Sequence, residues 1–195
     1  GVDLNTDYLA RARRRAAARG VRIDTVAHDM RDLAALPGGP FDAAIMMYTS
    51  FGYFEQDAEN LRVLSGMRHV LRPGGRVLVD VINRDWFLRN YRASDYVTDD
   101  GAFVTRDYET ADGRVLLHQN TFLPLRSRLT WEVYDAVADS GTPLFAVDYR
   151  MYSAHELVAL IEEAGLRLLG LSGDYDGSVF TPLAPRLLCV AERPA

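Results

Sequence analysis

The sequence has no lysine, and all 22 of its basic residues are arginine. This absence excludes a lysine Schiff base and the lysine of a phosphate-binding P-loop. The one cysteine, Cys189, lies in the apolar run RLLCVAE, so an internal disulfide is excluded and a buried thiol is expected. No apolar run approaches the roughly 20 residues that cross a bilayer, and nothing has the form of a signal peptide. A cytoplasmic protein without a membrane partner is therefore expected.

The overall charge and composition are those of an ordinary globular domain. The net charge is −5, which gives no reason to expect a nucleic acid as the partner. The chain has 195 residues, of which 48% are hydrophobic and 25% charged. This length and composition are sufficient for one domain with a full core.

Strand-like and helical segments alternate through the first part of the chain. In order, they are a strand ending at Leu4, a helix capped by Asn5 or Thr6, strands at 21–27 and 41–48, a helix at about 56–71 and a strand at 76–82. The alternation predicts an α/β, doubly wound fold with a mostly parallel, Rossmann-like sheet.

The rhythm changes in the second part. Turn residues at 112–113 and 139–141 separate strand-like runs, which predicts an antiparallel β meander inserted at 100–150. A capping box, Ser153 with Glu156, then opens another helix, and two strands close the chain. The predicted divisions are therefore 1–99, 100–150 and 151–195.

Polar side chains stand where the predicted strands end, which is the edge at which such sheets bind ligands. Asp3 can accept hydrogen bonds from both ribose hydroxyls of a nucleotide cofactor. Asp29 can accept the adenine amino group while the Met30 backbone meets the ring edge. Each acid alone is also a common helix cap or loop charge, and Asp3 would equally suit a nicotinamide-dependent enzyme.

Four segments in this order, GVDLN, HDMRDL, FDAAIMMYTSFGYF and VLRPGGRVLVDV, resemble the class I S-adenosylmethionine-dependent methyltransferases. The resemblance implies S-adenosylmethionine as the cofactor, and it assigns residues 1–99 of this chain to cofactor binding. It implies that Asp3 holds the ribose and Leu4 packs near the adenine. It assigns adenine recognition to Asp29 and Met30, and the methionine portion to Met47 and Tyr48.

The segment TSFGYF resembles a subgroup that acts on small molecules, with the loop after the strand facing the methyl acceptor. Tyr53 is the preferred acceptor-side residue, and Arg84 and His118 are further candidates. The aromatic residues of 100–150 are expected to serve one of three purposes: to line an apolar substrate pocket, to pack in the core, or to form a dimer interface. The expected reaction is in-line transfer to a nitrogen, oxygen or carbon acceptor. No catalytic base is assigned, since one is needed only if the acceptor must lose a proton, and no metal is expected.

The family's first strand and glycine-rich loop would precede GVDL and would lie between the strands at 1–4 and 41–48. The chain is therefore expected to be a fragment, a trimmed domain or one of two chains that complete the sheet, because open apolar edges favour aggregation. The expected partner is a chain segment that supplies the missing strand or, alternatively, a second copy in a homodimer. We expect weak cofactor binding by residues 1–195 alone. The alternative is a catalytically inactive scaffold or regulatory subunit.

Overall fold

The computed structural model describes residues 1–98, 103–104, 115–138 and 141–195. The helices are α1 (Thr6–Ala17), a 3-10 helix (Met30–Ala35), α2 (Asp57–Val70), α3 (Arg84–Arg89) and α4 (Ala154–Glu163). The strands are β1 (Val2–Asp3), β2 (Val26–Ala27), β3 (Phe41–Met46), β4 (Leu71–Ile82), β5 (Ser94–Thr98), β6 (Phe103–Val104), β7 (Val115–Leu123), β8 (Arg128–Asp135), β9 (Phe145–Arg150), β10 (Arg167–Ser172) and β11 (Arg186–Glu192). None of the helices in these ranges has the length and apolar character to cross a membrane.

Three sheets organise the described residues. β1 and β2 form a parallel pair, and a four-stranded sheet has the order β10-β11-β4-β3. Within it β3 and β4 are parallel, whereas β4–β11 and β11–β10 are antiparallel. The α/β alternation is confirmed, but the prediction of a mostly parallel sheet does not hold for the described residues. The reason is that β11 doubles back from β10 and enters the sheet beside β4.

Helices α2 and α4 cover one face of the four-stranded sheet. Val77, Val79 and Val81 alternate along β4 toward these helices and are buried with Leu64 and Leu157. β-branched side chains fit this pleated, buried surface well.

The helix ends follow the sequence closely, but one strand does not. The capping box of α4 is present as predicted. The strand predicted at 21–27 is reduced to β2, because residues 21–24 are exposed and have no strand partner in the described structure. β4 begins at Leu71, which pairs with Phe41 ahead of a register shift over the Pro-Gly-Gly turn.

The remaining strands form an antiparallel sheet in the order β6-β5-β7-β8-β9. It begins at Ser94, so it starts before the predicted boundary at 100. The turn residues predicted at 112–113 and 139–140 lie outside the described residues. Alternation along β7, β8 and β9 gives one face of this sheet, here called the aromatic face, which carries His118, Phe122, Leu129, Trp131, Phe145 and Tyr149. One end of the aromatic face packs on Ile82 and Phe87.

Candidate functional site

Asp3 is the last residue of β1, and Leu4 follows it where the chain turns into α1. Asp3 Oδ1 accepts a hydrogen bond from the backbone N–H of Asn5 at 2.8 Å. Asn5, not Asp3, caps α1, because its side-chain oxygen accepts the N–H groups of Asp7 and Tyr8. Asp3 is exposed and Leu4 is 69% exposed. The rim at the end of β1 therefore offers a carboxylate beside an apolar side chain.

Asp29 is engaged by a neighbouring arginine. It caps the 3-10 helix by accepting the Arg31 N–H at 2.8 Å, and both its oxygens accept Arg31 Nε at 3.1 Å. The side-chain and backbone hydrogen bonds of Arg31 lower the Asp29 pKa to about 2. Arg31 also pairs with Glu59 at 2.7 Å. An adenine contact through this carboxylate competes with Arg31, so the role of Asp29 stays a prediction. Met30 packs partly buried against the main core.

A strained turn of four residues begins at Met47, directly after β3. Tyr48 and Thr49 both have left-handed backbone, with φ of 57° and 59°, which is unfavourable for residues other than glycine. The Tyr48 N–H donates to Asp80 Oδ2 at 2.8 Å, and the Thr49 N–H donates to the Asp80 carbonyl at 3.0 Å. Thr49 Oγ1 accepts the Ile82 N–H at 3.2 Å. These bonds fix the turn on β4 and leave Tyr48 76% exposed.

The next loop is anchored on both sides of Tyr53. Phe51 is buried and stacks on Tyr152, with ring centroids 5.4 Å apart. The Gly52 carbonyl accepts the Arg150 N–H at 2.7 Å, which joins the loop to the end of β9. Tyr53 itself is 42% exposed. The loop therefore presents a tyrosine from a rigid support.

Tyr53 lies between the β1 rim and the antiparallel sheet. Burial raises the pKa of the Tyr53 hydroxyl, and the nearby Asp3 and Tyr8 raise it further. Burial also raises the pKa of Tyr149, on the aromatic face, to about 12, and Tyr53 adds to that shift. Both hydroxyls are therefore protonated at neutral pH. These electrostatic effects link Asp3 and Tyr53, which were predicted separately, with Tyr149 from the predicted aromatic group, and they add Tyr8, which was not predicted.

The other two predicted acceptor residues have partners of their own. Arg84 Nη1 pairs with Glu156 Oε2 at 2.6 Å, which directs Arg84 toward the start of α4. His118 stands edge-on to Trp131, with centroids 5.4 Å apart. Burial lowers the pKa of His118 despite the opposing effect of Asp95. Its ring is therefore neutral at neutral pH.

His118 and Tyr149 share the aromatic face but not a cluster. Their partners on β8 are Val133 and Leu129, which are four positions apart. At about 3.3 Å per residue along the strand and about 4.8 Å between neighbouring strands, the Cα atoms of His118 and Tyr149 are roughly 16 Å apart. The two residues therefore do not contact each other directly.

The pKa of Glu156 implies that its contribution to the stability of the fold is lost at low pH. Burial raises its pKa, but hydrogen bonds from Arg150 and from Ser153 outweigh this and lower it to about 2, from an ordinary 4.5. A carboxylate with a lowered pKa stabilises the fold fully above its ordinary pKa and loses that contribution as the pH falls toward 2. We expect urea unfolding midpoints of Glu156→Gln to lie below wild type at pH 7 and to converge with it near pH 2. The exposed Glu162→Gln on the same helix is the control, and a gap unchanged by pH would contradict the assignment.

Sequence reasoning missed Asp80, whose side chain is fully buried in β4. Its carboxylate accepts the Tyr175 hydroxyl at 2.5 Å and Arg186 Nε at 2.6 Å. The available signal was a single acid within the apolar run RVLVDVI, since an ionised group in such a run must be paired. Cys189 is buried, and burial raises its pKa to about 12, as expected for an inert thiol. Within the described ranges, no group of three potential ligand side chains is placed to hold a metal ion.

Comparison with known proteins finds methyltransferases. A family model described as a methyltransferase domain matches residues 1–75. A Streptomyces venezuelae relative, named dTDP-3-amino-3,4,6-trideoxy-alpha-D-glucopyranose N,N-dimethyltransferase, is 28% identical over 91% of this chain and 69% of its own length.

Solved structures share the fold. An S-adenosylmethionine-dependent methyltransferase from Clostridium acetobutylicum superposes with a TM-score of 0.79 at 14% identity, over 100% of this chain and 74% of that one. The S-adenosylmethionine-bound amino pentose methyltransferase CalS10 from Micromonospora echinaspora gives a TM-score of 0.58 at 22% identity, over 99% and 72%. These neighbours identify the fold as Rossmann-like α/β. Together these findings support a class I S-adenosylmethionine-dependent methyltransferase with S-adenosylmethionine as its cofactor.

Proposed function

We propose that this methyltransferase acts on a small molecule and methylates the amino group of an amino sugar. The observation that carries the proposal is the hydrogen bond from the Arg150 N–H to the Gly52 carbonyl, which holds the Tyr53 loop beside Tyr149 at the end of β9. Asp3 also acts electrostatically on the Tyr53 hydroxyl and raises its pKa. A molecule resting on the aromatic face would there meet the cofactor bound at the β1 rim. The names of the S. venezuelae relative and of CalS10 favour an amino sugar among the possible nitrogen, oxygen and carbon acceptors. Every one of these relatives is named as an enzyme, so an inactive scaffold has no support.

The residues at the β1 and β3 ends fit an adenosyl cofactor. The exposed Asp3 carboxylate retains acceptor capacity for ribose hydroxyls, because one oxygen accepts a single backbone N–H. Leu4, directly after β1, is 69% exposed and offers apolar surface beside Asp3. Tyr48 stands at the end of β3, where the methionine portion is expected. This arrangement combines apolar surface with a few polar groups, as small-molecule sites do.

S-adenosylmethionine, when bound, supplies a methyl group that its sulfonium already activates. The protein then has to bind the acceptor, orient it in line with the methyl group and exclude water. Tyr53 is protonated at neutral pH and can donate its hydroxyl proton in a hydrogen bond to a polar group of the acceptor. An amine must be uncharged to act as nucleophile, and the neutral His118 is a group on the same face that can accept a proton.

The cofactor assignment is tested by titrating the full-length protein with S-adenosylhomocysteine. We expect Asp3→Asn to weaken binding by about tenfold or more, because charge-assisted bonds to two ribose hydroxyls are lost. Asp24→Asn is the control, since that carboxylate is also exposed and lies outside the site. Wild-type affinity in Asp3→Asn would overturn the ribose assignment.

The acceptor is tested by incubating the protein with S-adenosylmethionine and the dTDP-amino sugar named for the relative, with mass spectrometry of the products. We expect methyl groups to be added at nitrogen. Tyr53→Phe should reduce kcat/KM for this acceptor while leaving S-adenosylhomocysteine affinity unchanged. Failure of the active wild-type protein to methylate any amino sugar in a panel would remove this substrate class.

A further inference from the structure

Two tyrosines from distant parts of the chain meet above a buried acid. Tyr48 comes from the turn after β3, and Tyr175 comes from the loop between β10 and β11. Their ring centroids are 6.3 Å apart and the rings are tilted by 59°. Both rings are half exposed or more, so they present surface at the end of β3 and β4.

One carboxylate oxygen of Asp80 accepts a hydrogen bond from each of the two tyrosines. Asp80 Oδ2 accepts the Tyr48 backbone N–H at 2.8 Å and the Tyr175 hydroxyl at 2.5 Å. The other oxygen, Oδ1, accepts Arg186 Nε at 2.6 Å, so the buried charge is paired. The Arg186 guanidinium also lies 5.4 Å from the centroid of the Tyr175 ring. Asp80 therefore fixes the position of one ring relative to the other.

The turn that carries Tyr48 requires such an anchor. Two consecutive left-handed residues, one of them the β-branched Thr49, are held against their intrinsic preference. Backbone strain of this kind persists only where surrounding bonds overdetermine the conformation. The Asp80 side chain and main chain supply two of those bonds. Loss of the carboxylate would free the turn to relax.

We propose that Asp80 and Tyr175 are positioning residues that set Tyr48 against the methionine end of the cofactor, with Tyr175 as a second ring of that wall. The proposal rests on the proposed placement of the cofactor at the ends of β1 and β3. It places the loop between β10 and β11 in the cofactor site. It also implies that binding of the adenosine end of the cofactor does not depend on Tyr175.

Binding of two ligands tests this, with S-adenosylhomocysteine compared with adenosine, which lacks the methionine end. We expect Tyr175→Phe in the full-length protein to weaken S-adenosylhomocysteine binding about fivefold to tenfold, as for loss of one hydrogen bond to a carboxylate. Adenosine affinity should stay within about twofold of wild type. A general loss of structure would weaken both ligands together.

Tyr91→Phe is the matched control, because the Tyr91 hydroxyl donates to the Asn120 carbonyl at 2.7 Å outside this wall. It should leave both affinities unchanged. Asp80→Asn should weaken S-adenosylhomocysteine at least as much as Tyr175→Phe, and if it does not fold, Tyr175→Phe decides. The proposal is overturned if Tyr175→Phe binds S-adenosylhomocysteine like wild type, or weakens both ligands equally. Asp3→Asn tests the cofactor placement separately. If it weakens binding of both S-adenosylhomocysteine and adenosine, the placement holds, and a wild-type affinity of Tyr175→Phe then counts against the role of Tyr175 alone.

Discussion

Gly52→Ala is expected to destabilise the protein by about 3 kcal/mol, by combining a backbone clash with an unfavourable backbone angle. A Cβ at this position would lie 2.5 Å from the Arg150 carbonyl oxygen, and the backbone has φ +101°. The contact is with main chain, so no side chain can move aside. The loop would have to leave β9, which breaks the bond from the Arg150 N–H to the Gly52 carbonyl. Tyr53 would move with it.

Gly177→Ala separates the two contributions. Gly177 has φ +80°, and no heavy atom lies within 4 Å of the place that an alanine Cβ would take. Alanine there meets only the backbone cost of about 1 kcal/mol. Urea unfolding of both variants measures the difference in the free energy of unfolding. Equal losses would mean that the close approach to Arg150 contributes nothing.

Arg128→Met is expected to cost about 2 to 3 kcal/mol, because a buried guanidinium serves several acceptors at once. Arg128 is 6% exposed and pairs with Asp148 through Nε at 2.6 Å. Its Nη1 donates to the Phe54 carbonyl at 2.8 Å, which holds the loop just past Tyr53. Methionine keeps much of the packing but supplies no donor. The cost stays moderate because Asp148 is partly exposed and water can solvate it.

Arg126→Met is the matched control two positions away. Arg126 is exposed and pairs with the exposed Glu55 at 3.0 Å, a surface pair worth at most about 1 kcal/mol. Chemical denaturation of the two variants gives the comparison. In Arg128→Met we also expect a lower kcat/KM for the acceptor, since Tyr53 loses a support. A loss no greater than in Arg126→Met would show that the buried network does not stabilise the loop.

Local sequence signals predicted most helices and several strands. Asn5 caps α1 and the Ser153–Glu156 box opens α4, because capping depends on neighbouring residues alone. The apolar run at 76–82 also predicted a strand, and it forms most of β4. The antiparallel pairing of β11 with β4 was not readable, since strand direction depends on which partner a strand meets. The run at 21–27 also failed as a full strand, because too few of its residues gained a partner.

The sequence alone indicated Asp3, because parallel strands bring their carboxyl ends to one edge, and it indicated Tyr53 through the resemblance of the segment TSFGYF. Only the tertiary structure decided which of these candidates meet. It placed Tyr53 near Asp3, turned Arg84 toward Glu156, and paired Asp29 with Arg31. The Tyr53 and Arg84 outcomes depend on contacts across elements, which no local pattern encodes, whereas the pairing of Asp29 with Arg31 is local. For the same reason, the link from Asp80 to Tyr175, 95 residues further along the chain, became visible only in the fold.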